Sequence, residues 1–435
     1  MTIENAVYLA VSAAAAAIVV VYVLRYRAAS QRARRTLQRS VEAGMTEPTT
    51  LHPEVDHNRC IGTGSCVKAC PEGEIIGIVN GRFALLAPNK CIGHGACLAS
   101  CPVDAISLVF GTARRGVDIP HVKENFETNV DGVFIAGELG GMGLIRNAVT
   151  QGKQAVQSIA GRQRSKDPSV HDVVIVGAGP AGLSATLQAE SAGLKYVTVD
   201  QEEVGGTVLS YPRQKIVMTQ PMDIPIYGKY THRVIKKEEL LDLWFEIIDR
   251  TGINIQTKER LESVTRSNGH FEVVTTRGSY AARHVLLAIG RRGTPRKIGA
   301  PGENSSKVTY KLVDPHQYRA KNVCVVGGGD SAVEAALSLA EEPGTRVTLS
   351  YRKNSLTRIK EDNLQKISGA IEKGAVEAAF ETRVERIETD SVTLANGNES
   401  RTIPNDYVFV FIGGELPTPF LQKMGISIET KFGER

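Results

Sequence analysis

This 435-residue chain has no large charge excess of either sign: 52 Lys and Arg stand against 47 Asp and Glu, a net of +5. Part of that small excess is local, so nothing resembles the broad basic face that nucleic acid requires. Basic side chains are also missing ahead of the apolar run Ala6–Leu24, where Glu4 is the only charged residue. A cleaved secretory signal carries its positive charge in front, which argues against that reading. Cysteine is confined: six of the seven lie between Cys60 and Cys101, and Cys324 stands alone in an apolar strand. The last cysteine of each group precedes a proline at metal-cluster spacing, which sets a disulfide framework aside. Repeats are absent apart from two cysteine motifs and two strand–turn–helix units.

The apolar run is broken only by Ser12 and spans about 28 Å as a helix, enough for a hydrocarbon core. Arg25, Arg27, Arg32, Arg34, Arg35 and Arg39 follow it. The positive-inside rule then puts the N-terminus outside and the rest of the chain in the cytoplasm, as a single-pass protein of the cytoplasmic membrane. A buried Ala/Val helix in a soluble domain is the alternative. Ala28 to Glu54 reads as a basic helical stalk ending at the turn-rich EPTTLHPE.

Glycine is abundant, 42 residues, and clusters in loops between apolar strands. Val173–Val176 reads as a strand buried on both faces. Gly177, Gly179 and Gly182 follow it directly and open a helix. The first permits a tight turn, the second lets backbone approach a pyrophosphate, and the third allows close helix–strand packing. The diphosphate would sit on the helix N-terminus, where N–H groups and the dipole favour negative charge. Asp200, at the end of the next strand, is placed to accept hydrogen bonds from a ribose. A second unit, Asn322–Lys353, repeats the pattern with Gly327, Gly329 and Ala332. Its strand ends in Ser350 where an acid is missing, and Arg352, Lys353 and Arg358 follow. That suits a 2′-phosphate, favouring NADPH while leaving NADH open.

These residues, with GGTVLSYPR (Gly205–Arg213), LLAIGRRGTPRKIGAPGE (Leu286–Glu303), FVFIGGELP and DGVFIAGELGG (Asp131–Gly141), resemble the thioredoxin reductase-like flavoproteins. The resemblance covers about residues 115–435 and lies with the branch lacking an active-site disulfide, since YKLVDPHQYRAKNVC holds only Cys324. It implies that the first unit binds FAD, through Gly177, Gly179, Pro180, Ala181, Gly182, Asp200, Gly206, Thr207 and Gly290. The second would bind NAD(P)H through Gly327, Gly329, Asp330, Ser331, Ala332 and the basic residues named above. A homodimer is implied as well. In that family GVFIAGE closes the chain, whereas here it precedes the first unit, which reads as a circular permutation. Gly137 and Glu138 would then complete the flavin site, with Glu138 holding the ribityl hydroxyls. The segment completing another chain's site is the weaker alternative.

NRCIGTGSCVKACP (Asn58–Pro71) and NKCIGHGACLASCP (Asn89–Pro102) resemble bacterial two-cluster ferredoxins, yet each lacks the second cysteine. Thr63 and His94 stand there. In such ferredoxins the last cysteine of each motif serves the other cluster. The resemblance thus implies one cluster on Cys60, Cys66 and Cys101, and another on Cys91, Cys97 and Cys70. Both clusters could be [4Fe–4S] or [3Fe–4S], and His94 could ligate through a neutral imidazole or sit beside a three-iron cluster. Fewer thiolates raise the reduction potential, which suits accepting electrons from reduced flavin.

The expected fold is α/β: two Rossmann-like dinucleotide-binding domains preceded by a small α+β ferredoxin-like domain and a transmembrane helix. The expected boundaries are an anchor at 1–27, a stalk at 28–54, an iron–sulfur domain at 55–112 and a permuted FAD segment at 113–160. A linker at 161–171 leads to the FAD domain at 172–295, the NAD(P)H domain at 296–405 and a return to the FAD domain at 406–435. The expected function is electron transfer from NADPH through FAD and iron–sulfur clusters to a one-electron redox protein, with no residue assigned as general acid or base. The alternatives are a disulfide or quinone reductase with the clusters as relay, a redox sensor or scaffold, and reverse flow towards NADP⁺.

Overall fold

The computed structural model describes all residues except 1, 2, 43–45, 47, 49, 50, 92, 114, 115, 142, 212–214, 219, 220, 233, 268, 292, 358, 398, 416, 434 and 435. The chain divides into two compact units, Met1–Gly116 with Lys431–Arg435, and Val117–Thr430.

The first unit opens with helix α1 (Ile3–Glu42), one uninterrupted helix through both the apolar run and the basic segment. Its Ala-rich composition favours helix. Val7–Leu24 is exposed along its apolar side chains, whereas Ala33 is buried. Strands β1 (His52–Val55), β2 (Ile76–Val79), β3 (Arg82–Leu85) and β4 (Ile106–Val109) frame the cysteine motifs, with short helices α2 (Ser65–Ala69) and α3 (Ala96–Ala99) inside them. β1 pairs antiparallel with β4 and β2 with β3. Helix α1 is described as far as Glu42, and the last residues of the stalk expected to reach Glu54, from His52, are strand β1. Residue 52 precedes Pro53 and is therefore biased towards extended backbone. Helix α1 also packs on the hairpin: a side chain at Gly77 would collide with Ala33 and Leu86, and Asn80 N donates to Ser30 Oγ at 3.1 Å. Cys66, Cys97, Ile75, Ile76, Phe83 and Ile106 form the core of this unit.

The second unit begins with β5 (Val117–Pro120), β6 (Val133–Ile135), α4 (Ile145–Ala160), β7 (His171–Val176), α5 (Pro180–Ser191) and β8 (Tyr196–Val199). Short strands β9 (Ile216–Met218), β10 (Met222–Ile224), β11 (Gly228–Tyr230) and β12 (Val234–Lys236) lead to α6 (Lys237–Thr251). The antiparallel strands β13 (Leu261–Ser267), β14 (His270–Thr275) and β15 (Gly278–Leu287) follow. One sheet runs β13-β14-β15-β7-β8, and β6 also pairs with β15, parallel to it. The segment ahead of the first glycine turn is therefore a strand of the same sheet. Its core strands read as apolar runs because both faces are covered: Val173, Val174, Ile175, Phe134 and Val285 are fully buried.

The chain then crosses into β16 (Thr294–Pro295), β17 (Val308–Thr309), β18 (Asn322–Val326), α7 (Asp330–Ala340), β19 (Arg346–Tyr351), α8 (Glu361–Glu372) and β20 (Val376–Phe380). A meander of β21 (Arg383–Ile387), β22 (Ser391–Asn396) and β23 (Glu399–Pro404) precedes β24 (Tyr407–Val410), β25 (Gly414–Glu415), α9 (Thr418–Lys423) and β26 (Ile428–Lys431). The second parallel sheet runs β17-β24-β18-β19-β20, and β26 returns to pair with β5. Each glycine turn thus sits at the C-terminal end of a central parallel strand, where open α/β sheets bind ligands.

Candidate functional site

In the first unit the six thiols fall into two groups. Cys60, Cys66 and Cys101 line one cavity together with Thr63, Phe83 and Ile106. Cys70, Cys91 and Cys97 line a second, together with His94, Glu72 and Leu108. Each group combines two thiols of one motif with the last thiol of the other. All seven cysteines are free thiols.

The loops carrying them wrap the cavities because Gly62, Gly64, Gly93 and Gly95 adopt positive φ. A side chain at Gly62 would strike the Gly81 carbonyl, and one at Gly93 the Leu51 backbone. Backbone N–H groups of Val67, Glu72, Gly93 and Leu98 point at the cysteine sulfurs. Burial nevertheless outweighs them, pushing Cys66, Cys70 and Cys91 up and Cys97 to about 11. Thiols held this way are stable as thiolates only beside strong positive charge. Among the described residues no three His, Cys, Asp or Glu side chains close on a point suited to a single ion. Three sulfurs around an open space, with N–H donors behind them, fit a sulfide-bridged cluster instead.

The residues at the missing-cysteine positions share one behaviour. Thr63 Oγ1 accepts from Ser65 N at 3.4 Å, and His94 Nδ1 accepts from Ala96 N at 3.0 Å. Both turn an acceptor onto the start of the short helix that follows. His94 Nε2 lies 3.7 Å from Cys70 Sγ.

In the second unit the first glycine turn is tightly built. Gly177 has φ +108°, and a side chain at Gly182 would collide with its carbonyl. Gly177 N donates to Val199 O at 2.8 Å. Asp200 ties the turn to the next strand: its carboxylate accepts from Ala178 N at 2.5 Å and from Glu202 N at 2.7 Å. Each oxygen keeps a further lone pair for a ribose hydroxyl. Burial raises the pKa of this carboxyl, and the two amides oppose that. The loop Gly205–Gly206–Thr207 folds over the turn, close enough that a side chain at Gly206 would meet Gly179 Cα. Gly137 and Gly152 come from the other side, and a side chain on either would strike Ala181. Glu138 is exposed and turns towards Gly143. Gly290, with φ +65°, lies just beyond Ala288, whose carbonyl covers Gly177. The structure thus gathers Gly137, Gly177, Gly179, Pro180, Ala181, Gly182, Asp200, Gly206, Thr207 and Gly290 around the end of β7. The cradle is one that only glycine-lined backbone forms, and it fits a dinucleotide.

At the second turn Gly327, Gly329, Ser331 and Ala332 surround the end of β18, and the Tyr351 ring covers Gly328. Asp330 Oδ1 accepts from Lys360 N at 2.8 Å and from Asn363 Nδ2 at 2.6 Å, which ties the start of α7 to the start of α8. Ser350 is buried and shares a 2.8 Å hydrogen bond with Thr382. Arg352 and Lys353 are exposed beside it. Arg358 lies outside the described residues. Cys324 is fully buried, and burial lifts its thiol to about 12, which makes it inert.

Residues 174–433 match the family described as pyridine nucleotide-disulphide oxidoreductase. The chain belongs to that family. Residues 52–102 of this oxidoreductase match the 4Fe-4S dicluster domain. It is a flavin-dependent NAD(P)H oxidoreductase with a 4Fe-4S dicluster domain. Bacilliredoxin reductase Bdr of Bacillus subtilis is 30% identical over 266 residues, 60% of this chain and 82% of that one. A ferredoxin–NADP reductase of Ignicoccus hospitalis is 28% identical over 270 residues, 60% of this chain and 83% of that one. Among solved structures, the bacillithiol disulfide reductase Bdr of Bacillus cereus is similar with a TM-score of 0.52 and 27% identity, covering 59% of this chain and 82% of that one.

Several residues of the oxidoreductase's sites escaped the sequence. Gln151 Oε1 accepts from Gly137 N at 2.8 Å and so fixes the turn before Glu138. Gly152 permits the close crossing of α4 and α5. Glu72 had no signal beyond its place after Cys70. Only tertiary packing gives these residues a role.

Proposed function

We propose that the protein is a membrane-anchored oxidoreductase that passes electrons from NADPH, through FAD and two iron–sulfur clusters, to a one-electron redox protein. The observation that carries this is the two three-thiol cavities, joined in one chain to two dinucleotide turns. When bound, FAD supplies the exchange between two-electron and one-electron chemistry, and the clusters supply one-electron relay. The chain's own residues bind and orient: the Gly177–Gly182 turn and Asp200 hold the flavin nucleotide, and Arg352 and Lys353 hold a 2′-phosphate. Glu138 would receive the ribityl hydroxyls, and the positive end of the α4 dipole would favour the anionic reduced flavin.

In this reading residues 113–160 are the permuted last segment of the FAD domain. Support comes from β6 lying in the FAD sheet although the family match begins only at residue 174. The exposed apolar half of α1 is the anchor, with the arginine-rich half on the cytoplasmic side. The family resemblance adds a homodimer.

The test is anaerobic purification followed by NADPH addition. Flavin and iron–sulfur absorbance should both be present and both bleach, and Cys91→Ser should abolish reduction of a one-electron acceptor. Iron near zero in folded, flavin-replete protein would remove the clusters from the mechanism. A second reading, reduction of a small disulfide or quinone, is favoured by the identity to bacilliredoxin reductase. It expects turnover that survives Cys91→Ser.

A further inference from the structure

Glu72 follows Cys70 by two residues and lines the second cavity with Cys70, Cys91, Cys97 and His94. Its Oε1 is buried, and among the described residues no donor reaches it. An unpaired carboxylate oxygen in such a place is costly unless a cation takes it.

His94, at the missing-cysteine position, does not answer that need. Its Nδ1 lone pair accepts the Ala96 amide, so the neutral ring carries its proton on Nε2. That nitrogen then faces Cys70 Sγ as a donor, and neither nitrogen keeps a lone pair for iron. The first cavity differs, because among the described residues no acidic side chain lines it.

We infer that Glu72 is the fourth ligand, through a carboxylate oxygen, of the iron–sulfur cluster held by Cys70, Cys91 and Cys97, while His94 donates an N–H···S hydrogen bond to Cys70. A carboxylate restores the negative charge lost with the missing cysteine, and iron accepts oxygen as well as thiolate ligands. The two cavities then hold unlike clusters. The one with Glu72 has four ligands, and the one with Thr63 has three.

This rests on the iron–sulfur reading of the six cysteines. The test uses full-length protein purified anaerobically, with iron counted per flavin and paramagnetic resonance recorded on the oxidised protein. Glu72→Gln should lose about one iron per chain and raise the oxidised three-iron signal about two-fold. His94→Gln should keep the wild-type iron content. Glu72→Cys, which keeps a ligand even if the glutamine variant folds poorly, should retain the iron and shift the reduced cluster's spectrum as sulfur replaces oxygen. Full iron and an unchanged oxidised signal in Glu72→Gln, or an unchanged reduced spectrum in Glu72→Cys, would overturn the assignment of Glu72. Absence of iron from flavin-replete wild-type protein would instead remove the iron–sulfur reading itself.

Discussion

Two side chains carry predictions at the scale of the residue: Arg352, proposed above to hold a 2′-phosphate, and Glu127, which joins Arg162 to Gly132. Arg352 is exposed at the strand end where Ser350 turns inward to Thr382. Loss of one charge-assisted hydrogen bond to phosphate is worth about 1.5–3 kcal/mol. Arg352→Ala should therefore raise KM for NADPH about ten- to a hundred-fold and leave KM for NADH nearly unchanged, read by steady-state kinetics. Glu127 is buried and accepts from Arg162 Nη1 at 2.7 Å and Gly132 N at 2.9 Å. Burial alone would raise its pKa, but these donors outweigh it and hold the carboxyl at about 2. Its contribution to stability is present above the ordinary carboxylate pKa and fades as pH falls towards about 2. Glu127→Gln should cost about 3 kcal/mol at neutral pH, and the difference in melting temperature from wild type should shrink in acid. The glycine turns and Asp200 were legible because local geometry dictates them. Glu127, Gln151 and Glu72 were not, because their roles depend on partners or a cavity that only the folded chain supplies.

At the scale of elements, the crossing of α4 on α5 is a tight constraint. A side chain at Gly152 would drive into the Ala181 carbonyl at the start of the dinucleotide helix. Gly152→Val should therefore yield protein depleted in flavin, measured as the ratio of flavin absorbance to protein, while Gly369→Ala, in α8 with open space around it, should not. The two strand–turn–helix units were readable from apolar strands followed by glycines, and the strand–turn–helix of 131–160 from the same pattern. Less visible were β1, whose four residues gain their strand character from pairing with β4, and the docking of α1 on β2. The latter depends on Ala33 meeting Gly77, two small residues far apart in sequence, and no periodicity marks such a meeting.

For the whole molecule, the clearest sequence signal was the order of its parts: apolar helix, cysteine motifs, then two nucleotide turns. Removing residues 1–27 should move the protein from the membrane fraction to the soluble one with iron and flavin retained, since Ala33 and Ser30, which hold α1 to the hairpin, remain. The continuity of α1 has a mechanical corollary. A helix without a break between Leu24 and Ser30 is a stiff mast, so a bilayer gripping its foot would dictate the compass heading of the sulfur-rich head. One extra residue spliced in at Tyr26 would swing that head by about 100°, and seven would bring it round almost to its starting bearing, some 10 Å further from the lipid.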